Sequence, residues 1–240
     1  LSFFNILKIL IEKILSKEIK MKAQIDGSPS FAHIHIDLDP GESILVEPDA
    51  MASMSAEIEM TTRFNGGFVK GLIKKFLGGE SLFINEFKNP TNTTQRLTLT
   101  QPTPGNIVEL DLNNSSLCLQ PGAFIAATSG LNLGVRYAGI SSFLAREGLF
   151  KIEISGTGKL FYGAYGGILE KQVNGEYIVD SGHLVGYDPH MKLKVKLAGG
   201  LISSFTSGEG IVTKVEGTGK IILQTRSIEG LADWINPYLY

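Results

Sequence analysis

The 240-residue chain has one cysteine, Cys118, one tryptophan and no marked excess of either charge. A single cysteine closes no intrachain disulfide and supplies no thiolate metal cluster, so a reducing, cytoplasmic setting is expected. Twenty-two Lys and Arg against 24 Asp and Glu leave a net charge of −2. That balance lacks the basic stripe of a dedicated nucleic-acid binder. No apolar run reaches the ~18–20 residues of a membrane-spanning helix. Charged residues make up 19% and apolar ones 43%, the proportions of a packed globular chain. Glycine is what abounds. Its 28 residues are nearly twice the usual ~7%, so short strands joined by tight turns are expected.

The first twenty residues are amphipathic. Phe3, Phe4, Ile6, Leu7, Leu10, Ile11, Ile14 and Leu15 recur at helical spacing, opposite Lys8, Glu12, Lys13, Lys17 and Lys20. Lys8 interrupts the apolar run and no small-x-small site follows, so this is not read as a signal peptide. Three readings stay open: a helix docked on the domain, a helix lying on a membrane surface, or an extension arising from choice of a start site upstream of Met21.

After Met21 the chain reads as short strands. Ala32, Ile34, Ile36 and Leu38 alternate with Phe31, His33, His35 and Asp37, and Pro40-Gly41 then turns the chain into Ile44-Leu45-Val46. The pattern recurs as Leu117–Leu119, Pro121-Gly122 and Phe124–Ala126, then as Tyr177–Val179, Ser181-Gly182 and Leu184–Gly186. Glycine at each turn is read as a residue needing positive φ. Phe76, Phe143 and Phe205 each precede a glutamate, Glu80, Glu147 and Glu209, by four residues. Gly156-Thr157-Gly158-Lys159 is repeated as Gly217-Thr218-Gly219-Lys220. The expected architecture is an all-β single domain, 21–240, of three pseudo-threefold repeats near 21–114, 115–175 and 176–240. Short helices are expected at 1–20, at 68–77 and around Leu231, Trp234 and Ile235, the last packed on the sheets and stopped by Pro237.

These stretches resemble a bacterial and archaeal family of unknown function related to the mitochondrial-biogenesis (altered inheritance of mitochondria) proteins. The resemblance runs from about Met21 to Asn236. It rests on Pro40-Gly41-Glu42, Glu47-Pro48, Gly79–Phe83, Leu119–Phe124 and Glu147–Phe150. Ala164–Gly167, Asp180–Val185, Gly208–Gly210 and Leu223–Arg226 complete it. It implies a fold like that of the tryptophan RNA-binding attenuator protein, and it brings no active site with it.

Motifs that could carry chemistry are each set against a plainer reading. The Gly-Thr-Gly-Lys pair lacks the first glycine and the Ser or Thr of a phosphate-binding loop, so it is read as a tight turn between strands. His33, His35 and Asp37 share a strand face that could hold a metal, but a solvated face is the preferred reading. His183 is read as hydrogen-bonded at its turn, and Cys118 as buried and inert. Glu80, Glu147 and Glu209 would bind a cation if they met at the pseudo-axis. Phe68, Leu72 and Phe76 with Lys70, Lys74 and Lys75 form a short basic amphipathic stretch, suited to the core, to a membrane surface or to a partner.

No nucleophile elbow or Ser–His–acid set stands out, and no cofactor is expected. The chain is therefore read as a non-enzymatic scaffold or interaction protein with a protein partner or membrane surface. Homo-oligomers fit this reading; nucleic acid does not. The rival is a small-molecule or cation binding protein, conceivably an enzyme, that uses polar groups at the pseudo-axis.

Overall fold

The computed structural model describes residues 21–64, 83–137, 150–197 and 211–239. Strands dominate them, followed by a single short helix. In chain order these are β1 (Lys22–Asp26), β2 (His33–Leu38), β3 (Ser43–Val46), β4 (Met51–Met54), β5 (Glu59–Phe64), β6 (Phe83–Lys88) and β7 (Gln95–Thr100). Then come β8 (Gly105–Leu119), β9 (Phe124–Thr128), β10 (Leu131–Tyr137), β11 (Phe150–Tyr165) and β12 (Ile168–Asp180). β13 (Leu184–Tyr187), β14 (Lys192–Leu197), β15 (Ile211–Gln224) and α1 (Ile228–Ile235) complete the order. Two sheets result. One has the order β1-β2-β7-β4; the other has eleven strands, with β12-β15-β13-β8-β11-β9-β3-β6-β5 as its path and β10 and β14 laid beside β11 and β15.

Side-chain alternation positions the first sheet. Ile34, Ile36 and Leu38 are fully buried, while His33, His35 and Asp37 on the opposite face are half-buried. With Ile44, Val46, Phe87, Leu97 and Leu99 they form one apolar cluster, which also takes Ile107, Ala126 and Phe161 from later strands. A second cluster is centred on β8, β9 and β11 and draws in Ile84, Val185 and Ile222. A third lies around β13 and β15 and includes Cys118. Each cluster thus borrows residues from a neighbouring stretch of chain. β9 and β13 are buried on both faces, as strands inside a packed core must be.

The pairing of β8 to β11 is repeated by β12 to β15. β8 lies antiparallel to β11, and β12 to β15. On its other side β11 takes β10 and then β9, just as β15 takes β14 and then β13. The first stretch is built differently. Its strands β6 and β7 are separated by Asn89–Thr94 and lie in different sheets.

Two sequence expectations are corrected here. The Gly-Thr-Gly-Lys stretches are not turns but lie within the long strands β11 and β15. Gly156 and Gly217 adopt φ of 120° and 129°, and the β11–β8 register shifts between Gly156 and Gly158. A β-bulge thus interrupts the β11–β8 ladder at this point, whereas β15 pairs with β12 through Gly217–Gly219 without a shift. The bare glycine surface also admits a neighbour: Lys159 N–H donates to Thr128 Oγ1 (3.0 Å) and Lys220 N–H to Asp188 Oδ2 (2.7 Å). Gly41 and Gly122 do take positive φ, 79° and 80°. Gly182 instead lies in a 3-10 turn, where the Asp180 carboxylate accepts its N–H. A Cβ there would sit 2.9 Å from Ser227 Cβ, so close approach is what calls for glycine.

Candidate functional site

The three repeated glutamates Glu80, Glu147 and Glu209 lie outside the described residues, as do Phe68, Lys70, Leu72, Lys74, Lys75, Phe76 and residues 1–20. Of the proposed His33, His35 and Asp37 set, the structure keeps the histidines together and turns Asp37 away. Arg96 donates from Nε and Nη2 to the two Asp37 oxygens at 2.8 and 3.1 Å. That fork holds the Asp37 carboxyl below its ordinary range.

Four stretches far apart in sequence meet beside α1. Gln224 and Thr225 clamp two of them. The Gln224 amide donates to the Gly182 carbonyl (2.8 Å) and accepts the Tyr165 N–H (2.9 Å), and Thr225 Oγ1 accepts the Gly167 N–H (2.8 Å). His183 Nδ1–H donates to the Gln224 carbonyl at 2.7 Å. Since that oxygen only accepts, the proton is on Nδ1 and Nε2 is left as an acceptor in neutral His183. Gln120 N–H donates to the Val185 carbonyl (2.8 Å), which ties the Pro121-Gly122 turn to the same place.

Two clefts open around this clamp. The larger, about 600 Å³, is lined by Tyr165, His183, Thr225, Arg226, Ser227, Gly230, Leu231 and Trp234. A smaller one of about 210 Å³ shares Tyr165 and runs along Gln120–Ala123, Leu184 and Ile228. Helix α1 starts at Ser227, whose Oγ accepts the Gly230 N–H at 3.0 Å. Its spacing gathers Ile228, Leu231, Trp234 and Ile235 into one apolar arc. The sequence pattern called for that arc to be packed on the sheets. Instead Ile228, Leu231 and Trp234 are 51%, 37% and 67% exposed. The helix does end where expected, with Pro237 inside a terminal 3-10 turn. The Arg226 guanidinium has no ion-pair partner among the described residues, although it lies in a cleft with two aromatic rings.

The sequence model of the family described as mitochondrial biogenesis AIM24 matches residues 23–226. The chain belongs to that family. Another relative is an uncharacterized protein of Streptococcus pyogenes serotype M6, 28% identical over 229 residues, which span 92% of each chain. The crystal structure of a Streptococcus pyogenes protein is similar with a TM-score of 0.75 and 28% identity, over 92% of this chain and all of that one.

Within this AIM24-family chain, residues from the stretches 119–124, 164–167, 180–185 and 223–226, which carry the resemblance, line the clefts together with α1 and Gln101–Thr103. Sequence reasoning had these stretches but not their convergence. It also missed Lys151. This side chain is fully buried, and its Nζ donates to the Gln120 Oε1. No helix among the described residues is long and apolar enough to cross a membrane.

Proposed function

We propose that this AIM24-family chain is a non-enzymatic interaction protein that captures a peptide segment of a partner protein in the cleft beside α1. The observation that carries the reading is the exposed arc of Leu231 and Trp234 beside Arg226, which has no ion-pair partner among the described residues. Trp, Tyr and Arg together are the residue types that anchor protein interfaces. The occupant follows from the lining. Leu231, Trp234 and Tyr165 take an apolar or aromatic side chain, and Arg226 takes a carboxylate next to it. Glu229 and Asp233, on the flank of α1 away from the arc, disfavour an anionic lipid surface as the occupant. We further read the first stretch of strands as a third, interrupted copy of the unit formed by β8–β11 and β12–β15, with β6 and β7 in place of one long strand. A single pseudo-threefold domain would then present this face on a rigid support.

The test is a displayed peptide library selected on the whole protein and counter-selected on Trp234→Ala and Arg226→Gln. Enriched peptides should pair an apolar residue with Asp or Glu and shift the emission of the lone tryptophan to the blue. Trp234→Ala should weaken them about 30-fold, the equivalent of ~2 kcal/mol, and Arg226→Gln by at least about tenfold. Enrichment that ignores both variants would overturn the reading. So would retention on anionic vesicles without peptide binding. A blue shift that grows with protein concentration alone would also defeat it, by assigning the face to a second copy.

A further inference from the structure

We infer that Asp26, His33 and His35 form a binding site for a first-row divalent transition metal on the β1–β2 hairpin, apart from the α1 cleft. Antiparallel pairing places Asp26 directly across from His33, with His35 two residues further along the same face. The ligand atoms of all three, each half-buried, lie within 4.8 Å of one another, and His35 Nε2 stands 3.9 Å from Asp26 Oδ2. A tetrahedral ion with bonds of ~2.0–2.1 Å sets its ligands roughly 3.4 Å apart. Modest side-chain rotations therefore close the site without moving the strands.

The surroundings hold these ligands as a metal site needs. His35 Nδ1 is engaged by Thr98 Oγ1 at 3.0 Å, which orients the ring and leaves Nε2 facing Asp26. The Gln24 amide donates to both Asp26 oxygens at 3.0 Å and fixes the carboxylate. The His33 and His35 rings meet edge to face with centroids 5.0 Å apart. Two imidazoles and one carboxylate suit zinc, nickel, copper or ferrous iron, and not the oxygen-loving calcium or magnesium. Three protein ligands also leave a coordination position open. His33 is shared with a neighbouring cleft of about 270 Å³ that includes Phe31, Thr100 and Pro102, so a further ligand has room there.

The experiment titrates Zn²⁺ into the full chain, without an affinity tag, by calorimetry, and repeats it with Co²⁺ by visible absorption. One ion per chain is expected, with cobalt bands of an imidazole–carboxylate site. The double variant His33→Asn/His35→Asn should lose the ion, while its thermal melt confirms folding. Asp26→Asn and Thr98→Val should each weaken binding by about tenfold or more. No binding by the wild type at millimolar Zn²⁺ overturns the inference, as does one ion per chain persisting in the double variant. Unchanged affinity in both Asp26→Asn and Thr98→Val overturns it too.

Discussion

Tyr162 lies near the C-terminal end of β11, fully buried, and among the described residues its hydroxyl has no hydrogen-bond partner. Such a group costs ~1–3 kcal/mol of desolvation that nothing offsets. Tyr162→Phe removes only that oxygen and keeps the ring packed with the second apolar cluster. The variant should therefore be more stable at neutral pH by ~1 kcal/mol, seen as a higher urea midpoint at unchanged slope. Alkali supplies a second reading. Burial, with a smaller contribution from Glu170, pushes the Tyr162 phenol up to about 12, against about 10 in an unfolded chain. Because the folded-state value is the higher one, the unfolded chain loses this proton first. The stability is intact below pH 10 and drains away as pH rises through 12. At pH 11 half of that gap has been crossed, which costs the wild type ~1.4 kcal/mol that the variant does not lose. Urea curves at pH 8 and pH 11 should thus show the variant's advantage widening. A Tyr162→Phe protein less stable than the wild type, or an advantage independent of pH, would refute the reasoning.

Glu216 is held at about 2 by hydrogen bonds from Lys194 and Lys214. The stability it contributes is present above its unfolded value, near 4.5, and is lost as pH falls towards 2. Glu216→Gln should flatten the acid limb of a pH–melting profile between those values and leave the neutral region little changed. Gly156→Ala should destabilise the chain by about 2 kcal/mol or more, since φ is 120° and the new Cβ would lie 2.7 Å from the Gly130 carbonyl. A denaturation midpoint equal to the wild type's would show that the bulge tolerates a side chain.

Much of the first sheet was legible because strand burial follows a period of two. Ile34, Ile36 and Leu38 announce their buried face directly. The Gly-Thr-Gly-Lys stretches misled because glycine serves both turns and bulges, and only the partner strands tell them apart. Asp37 follows the histidines along one strand, whereas Asp26 lies on the strand opposite. Residues on one strand are visible as neighbours in sequence, whereas a residue opposite needs the register. The six residues Gly27–Ala32 join two alternating runs, and the pairing of those runs sets Asp26 across from His33. The α1 arc has helical spacing in either case. Periodicity identifies an apolar face but not whether the protein itself covers it. Lys151 carried no signal at all, because a lysine between a phenylalanine and an isoleucine reads as the solvated side of a strand.

Strand β3 meets β6 along one edge and β9 along the other, through Ile44↔Thr128, Leu45↔Ala127 and Val46↔Ala126. During synthesis these two edges close at different times. Once Lys88 has emerged, β6 can pair, but Thr128 follows only some forty residues later, an interval of ~2–8 s at cellular elongation rates. Throughout it the nascent chain presents an unpaired strand edge, the kind of template that draws in other chains. The sequence guards that interval at both ends. Glu42 precedes β3, and Glu47-Pro48 follows it, so charge and a missing N–H limit how far an unrelated strand could zip along.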